Sequence, residues 1–205
     1  IIAGLLGMAM LPGIGHAQSC GNDSIYKIPY KDTYVKQALV AENEFRVQQP
    51  KYVTLPTFAE AKEVLPNPIW AGHDEEINMY WRAWEIGVGN LRNPQPGSGF
   101  IMPYIDTAYN GNIFMWDSSF ILMFARYGAR FFPFQNTLDN FYAKQHPDGF
   151  ICREIKADGA DCFERYDPVS TGPNLIPWCE MVYFHQFGDM ERLHKIFPVR
   201  CSYYK

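Results

Sequence analysis

Along the stretch "DEEINMYWRAWEIGV", Ile77, Tyr80, Trp81, Trp84 and Val88 recur at three- and four-residue intervals behind acidic residues suited to a first turn. The spacing predicts a helix starting near Asp74. "WDSSFILMFARYG" is apolar on every face and reaches Gly128 at a C-terminal cap position, which predicts a second helix, buried on all sides. "PFQNTLDNFYAKQ" opens with Pro133 at a first-turn position and repeats apolar residues at Phe134, Leu138, Phe141 and Tyr142, so it reads as a third. "LIPWCEMVYFHQFGD", with Pro177 early and Gly188 late, is the fourth. "DMERLHKIFPVRCSYYK" begins a fifth behind Asp189 as cap, its pattern still running at Lys205.

Ahead of Asn67 the pattern weakens. The runs "VAENEF" and "TFAEAKEVL" have modest helical periodicity, and prolines at 29, 50, 56, 66 and 68 break them, so residues 18–66 read as an irregular lead-in with one or two short helices. No strand pair or internal repeat stands out, and the loops are long enough to carry function. The expected class is all-α, with antiparallel helical hairpins over residues 67–205 packed side by side as a partial (α/α)6 toroid. About half of a closed toroid fits this length.

The opening "IIAGLLGMAMLPGIGHAQSC" is apolar and small to Ile14, then reaches Gly15-His16-Ala17 before Gln18. That is the h-region and cleavage site of a secretory signal peptide over residues 1–17. It is short for a bilayer span, and Gly4, Gly7, Pro12, Gly13 and Gly15 disfavour the alternative of a buried helix. The expectation is an exported protein, periplasmic, cell-surface or extracellular, with no transmembrane segment after cleavage. Cys20 offers a site for a lipid anchor, behind the weak lipobox Ala17-Gln18-Ser19. With no initiator Met or basic stretch before Ile1, the front reads as clipped.

Composition narrows the function. The 205 residues are 47% hydrophobic and 20% charged with a net charge of -4, as in an ordinary globular protein, and no Lys/Arg run marks a nucleic-acid surface. Aromatic residues make up 16%, more than a core requires, which leaves some to line a surface that stacks on a flat ligand with polar edges. For an acidic chain that suggests a sugar more than a base. Of the five cysteines, Cys152 and Cys162 lie ten apart across "REIKADGAD" and are expected to clamp that loop with a disulfide; Cys20, Cys179 and Cys201 stay unassigned. Ligand spacing for zinc is lacking, and neither metal nor cofactor is expected.

Three short motifs could carry chemistry. "HDEE" at His73 to Glu76 has metal-ligand residue types, but four consecutive helical residues point in different directions and acids in a first turn favour the helix dipole. "HPDG" at His146 to Gly149 is a tight turn, followed at once by Arg153 and Glu154 as a surface ion pair or part of a site. "WDSSF" admits two readings of Asp117. One is a core carboxylate held by backbone amides as a helix N-cap; the other is a carboxylate at the mouth of a buried helix, accepting hydrogen bonds from sugar hydroxyls while Trp116 and Phe114 supply a face for the ring.

From Asn67 onward, about two thirds of the chain resembles the trehalase-like and mannosylglycerate-hydrolase-like α/α-toroid glycoside hydrolases, the processing α-glucosidase group. "NGNIFMWDSSF" is similar to that family's Trp-Asp-Ser-x-Phe signature, "QHPDGFICREI" to its Pro-x-Gly turn, and "STGPNLIPWCEMVYFHQFGD" to its next inner helix. The resemblance implies an inverting hydrolase of α-linked glucosyl or mannosyl substrates, whose two carboxyl groups stand roughly 6.5–9.5 Å apart to admit a water. It places Trp116, Asp117, Arg153, Asn174 and Trp178 in the sugar-binding subsite, which Phe114 joins as the ring face read from the motif itself. The family's later Gly-x-Asp-Asn-like acid motif and its base are not found in this sequence, so this length of chain is expected to be inactive alone. Two alternatives remain open: a non-catalytic carbohydrate-binding or interaction protein, and an enzyme in which Asp117, buried and so raised in pKa, is the general acid paired with Glu180 or Glu154.

Overall fold

The computed structural model describes residues 35–164 and 174–204. The expected signal peptide over 1–17, the lipid-anchor site at Cys20 and the start of the lead-in lie outside the described residues. What is described is mostly helical, with a few short strands.

The lead-in opens with two 3-10 turns, Ala38–Glu42 and Glu44–Val47. Asn43 joins them: its side-chain oxygen accepts from the Phe45 amide, while its Nδ2 donates to the Tyr142 carbonyl and to Gln145 Oε1, both at 2.9 Å. Helix α1 (Phe58–Val64) begins with a reciprocal capping box between Thr57 and Glu60, which satisfies two first-turn donors. Helix α2 (Asp74–Gly89) starts where the spacing predicts and buries Trp84, Gly87 and Val88.

Two small antiparallel strand pairs follow, where the sequence offered none. Strand β1 (Leu91–Arg92) pairs with β2 (Tyr104–Ile105), and β3 (Ile113–Phe114) pairs with β4 (Glu154–Ile155). Each strand has two residues, too short for alternation to show. The connection after β2 is folded by Asp106, whose carboxylate accepts from the Ala108 and Gly111 amides.

Helix α3 (Met115–Ala125) continues directly from β3 and ends in a 3-10 turn through Gly128. It is not buried on all sides. Met115, Ser118, Ser119, Leu122 and Ala125 turn inward, which is the helical period of one face, so Trp116, Asp117, Phe120 and Phe124 turn outward. An all-apolar sequence has no polar side to reveal this. Pro133 precedes a 3-10 turn at Phe134–Asn136, and α4 (Thr137–Ala143) follows. Asn140 on α4 accepts from the Ile101 and Met102 amides and donates to the Met102 carbonyl, pinning the segment ahead of β2 to the core.

Helices α5 (Ile176–Phe187) and α6 (Met190–Tyr203) form a tight hairpin at the predicted place. Gly188 caps α5 in the left-handed conformation, and the Asp189 side chain accepts from the Arg192 amide at the head of α6. α5 packs on α3 and on α6, while α6 packs on the first 3-10 turn. The core joins these contacts through Trp84, whose indole meets Phe124, Phe131 and Phe134 at centroid distances of 5.2, 6.0 and 6.1 Å.

The expected Cys152–Cys162 disulfide does not form. Cys152 is a free, buried thiol donating to the Glu154 carbonyl at 3.1 Å, and burial pushes its pKa up to about 11. Cys162 is disulfide-bonded, to a partner outside the described residues. Backbone bonds already close the intervening loop, Lys156 with Ala160 and Cys162 with Glu154, so no local clamp is needed.

Gly149, in the "HPDG" turn, has φ +94° and sits so close to α6 that an added Cβ would lie 2.1 Å from the Ser202 carbonyl oxygen. Gly188 has φ +69° but faces open space. Urea unfolding should therefore separate them: Gly188→Ala costs about 1 kcal/mol, the left-handed penalty alone, and Gly149→Ala well over 2 kcal/mol.

Candidate functional site

The residues expected to bind sugar gather around the start of α3. β3 places Phe114 opposite Glu154, and the Met115 amide donates to the Arg153 carbonyl at 2.7 Å, so the "WDSSF" and "CREI" segments are fixed together by backbone. The Arg153 guanidinium lies over the Phe163 ring at 3.7 Å. Trp116 and Asp117 occupy the first turn of α3 on its outward side.

Asp117 is exposed rather than buried, so water solvates it and no compensating partner is required. The inward positions beside it belong to Ser118 and Ser119, and the Ser119 hydroxyl donates to the Met115 carbonyl at 2.7 Å. Asp117 is neither a buried carboxylate nor the N-cap of α3, which is Phe114.

Trp116 and Phe120 stand one turn apart with ring centroids at 5.2 Å, and Phe120 meets Trp178 of α5 at 6.2 Å. The three rings are 43%, 45% and 47% exposed, so nearly half of each faces water. Asn174, two residues ahead of α5, is half-buried, and its amide oxygen and nitrogen have no hydrogen-bond partner among the described residues. Phe114 and Arg153 are thus brought together by the backbone bonds around β3 and β4, Trp116 and Trp178 meet through Phe120, and Asp117 follows Trp116 in the first turn of α3. Asn174 is tied to the group by its place at the head of α5.

Glu154 belongs with them. Its Oε1 accepts from Asn112 Nδ2 at 3.0 Å, and Asn112 is itself held by the Ala157 amide. Burial raises the Glu154 pKa, the Asn112 bond and Arg153 pull it down, and the charge of Asp117 raises it again. Of the two carboxyls weighed as partners for Asp117, this is the one within its electrostatic reach.

Glu180 is committed elsewhere. At 2% exposure it accepts from Arg192 Nε at 2.8 Å and Nη2 at 2.7 Å, from Gln135 Nε2 at 2.8 Å and from the Tyr142 hydroxyl at 2.7 Å. Arg192 Nη2 also lies 2.9 Å from Asp139 Oδ1. One guanidinium thus serves two buried carboxylates, joining α4, α5 and α6. Burial pushes Asp139 up to about 6, against the pull of Arg192 and with a further push from Glu180. Burial opposes the charge on Arg192, yet Asp139 and Glu180 outweigh it and hold its pKa well above the usual range.

The "HDEE" stretch is a helix start, with His73 stacked on Trp70 at 3.6 Å and 3.2 Å from Glu76. Among the described residues no group of three His, Cys, Asp or Glu side chains is placed to hold a metal ion, and no helix is long and apolar enough to cross a membrane. The "HPDG" turn forms, with the Gly149 amide donating to the His146 carbonyl, and His146 pairs with Asp161 at 2.6 Å. No motif pointed to that pair or to the Arg192 cluster, because their members lie 12 to 57 positions apart with no recurring spacing.

Two measurements check the Arg192 cluster. Removing the guanidinium leaves two buried carboxylates unanswered, so Arg192→Met should lose about 3–5 kcal/mol in denaturant unfolding at pH 8. Asp139, with a folded pKa above its unfolded one, contributes stability that is complete below about pH 4 and lost as pH rises through about 6. The wild type should therefore shed on the order of 2 kcal/mol between pH 4.5 and pH 8 that Asp139→Asn does not shed.

Set against protein-family models, curated proteins and solved structures, the chain matches none of them.

Proposed function

We propose that this chain carries the sugar-binding half of an exported inverting glycoside hydrolase acting on α-linked glucosyl or mannosyl substrates. In this reading residues 67–205 belong to an (α/α)6 toroid, and Trp116, Asp117 and Arg153, with Phe114, Asn174 and Trp178, form part of a subsite without the catalytic pair. The observation that carries it is the shelf of Trp116, Phe120 and Trp178, each nearly half exposed, beside the exposed carboxylate of Asp117. Indole and phenyl faces left to water lose free energy unless a ligand covers them, and the C–H face of a pyranose does so while its hydroxyls donate to a carboxylate.

A second reading, a carbohydrate-binding protein with no hydrolytic role, draws support from Glu180. That acid is turned wholly into the protein and cannot face a bond held on the shelf. Asp117 and Glu154 are then the carboxyls at hand.

Intrinsic tryptophan fluorescence, titrated with a panel of α-linked glucosyl and mannosyl disaccharides, tests the proposal. At least one sugar should give saturable quenching that Trp116→Ala weakens about tenfold, a loss of about 1.4 kcal/mol of stacking. No release of monosaccharide is expected from this chain. Absence of binding across the panel, or equal binding by Trp116→Ala, would sink the assignment. Hydrolysis abolished by Asp117→Asn with binding intact would instead make Asp117 the acid.

A further inference from the structure

Away from the aromatic shelf, a concavity of about 590 Å³ opens between the turn at 97–98, the end of α4 with its His146–Pro147 extension, and the hairpin turn at 158–161. That is the size of a small-molecule site, but its lining is unlike the apolar one such sites usually have. Arg46, Ser98, Lys144, His146, Asp158 and Asp161 line it, with only glycine, alanine, glutamine and proline between them. With no Phe, Tyr or Trp in the lining, nothing offers a sugar the broad apolar face that Trp116 offers.

The acids here are turned to the protein's own donors. Asp158 accepts from the Ala160 amide at 2.8 Å, and Asp161 Oδ2 lies 2.6 Å from His146 Nε2. Asp161 is 5% exposed, and its other oxygen is sealed from water with no hydrogen-bond partner. A carboxylate so buried requires its neighbour to answer the charge, and the contact that does so is His146. The imidazole, which lines the cavity, is therefore fixed through Nε2, and Nδ1 makes no hydrogen bond among the described residues. Ser98 is not placed as a nucleophile for this pair, because its hydroxyl oxygen accepts from the Phe100 amide and makes no bond to His146.

The walls are as fixed as the pair. Gly159 packs so tightly on Ser98 that a Cβ would lie 1.7 Å from the Ser98 carbonyl, and Lys144 Nζ donates to that same carbonyl at 3.3 Å. Lys144 therefore adds positive charge to the wall, while Arg46 is exposed at the rim with the five donors of a guanidinium.

We propose that this concavity is a second ligand site, which binds a small oxyanion, a carboxylate or phosphate group, between the guanidinium of Arg46 and the Nδ1 edge of His146. Its ligand is a compact polar acid rather than a neutral sugar. The site shares no residue with the shelf, so its existence is independent of the function proposed above.

Isothermal titration of the full chain with inorganic phosphate, with acetate and with chloride at matched ionic strength tests this. Phosphate or acetate should give a saturable heat that chloride does not, and the tighter of the two names the group. Arg46→Ala should weaken that binding at least fivefold, as should His146→Gln, while Trp116→Ala leaves it unchanged. Arg46 is exposed, so its variant folds even if loss of the Asp161 partner unfolds His146→Gln. Heats no different from chloride, or undiminished binding by Arg46→Ala, would overturn the proposal.

Discussion

Where α4, α5 and α6 meet, one guanidinium holds two carboxylates out of water. Arg192 grips both oxygens of Glu180 and lies 2.9 Å from Asp139, with Gln135 and the Tyr142 hydroxyl completing the set around Glu180. Such a cluster adds little net stability over a well-packed apolar one, since desolvation consumes most of the Coulomb gain. Its effect is on arrangement: any slip of one helix strands a buried charge, which costs far more than a slip between leucines. The relative placement of three helices is thereby fixed by one side chain.

That placement passes to the surface. α5 packs on α3, and the ring of Trp178 reaches Phe120 because α5 is held at that height. On the other side, the β3–β4 pair sets Arg153 and Glu154 against the first turn of α3. The shelf is therefore an assembly of side chains from two packed helices, with the β3–β4 pair at its edge. Preorganisation of this kind lowers the entropy lost when a ligand binds.

Helix existence was legible wherever the sequence carried punctuation. Pro177, Gly188 and Asp189 mark the ends of α5 and the head of α6, and acidic residues mark the start of α2, all by local backbone chemistry. The facing of α3 was not, because periodicity needs polar positions and "WDSSFILMFARYG" has few. The two serines were the cue: small and polar, they sit where α3 lies close to the rest of the protein, and Asp117 beside them is left outside. Pairing across distance was the least legible. The Arg192 cluster, the His146–Asp161 pair and the disulfide of Cys162 all depend on chain topology, and the ten-residue spacing of Cys152 and Cys162 pointed to a bond that backbone closure makes unnecessary.

The account stands on a carboxylate beside exposed rings serving as a grip for carbohydrate. A crystal structure of the chain soaked with an α-linked disaccharide tests this most directly. The account predicts a pyranose ring lying flat on Trp116, with one of its hydroxyls within about 3 Å of an Asp117 oxygen. A sugar bound elsewhere with the shelf left bare, or another protein surface seated on Trp116, Phe120 and Trp178, would contradict it.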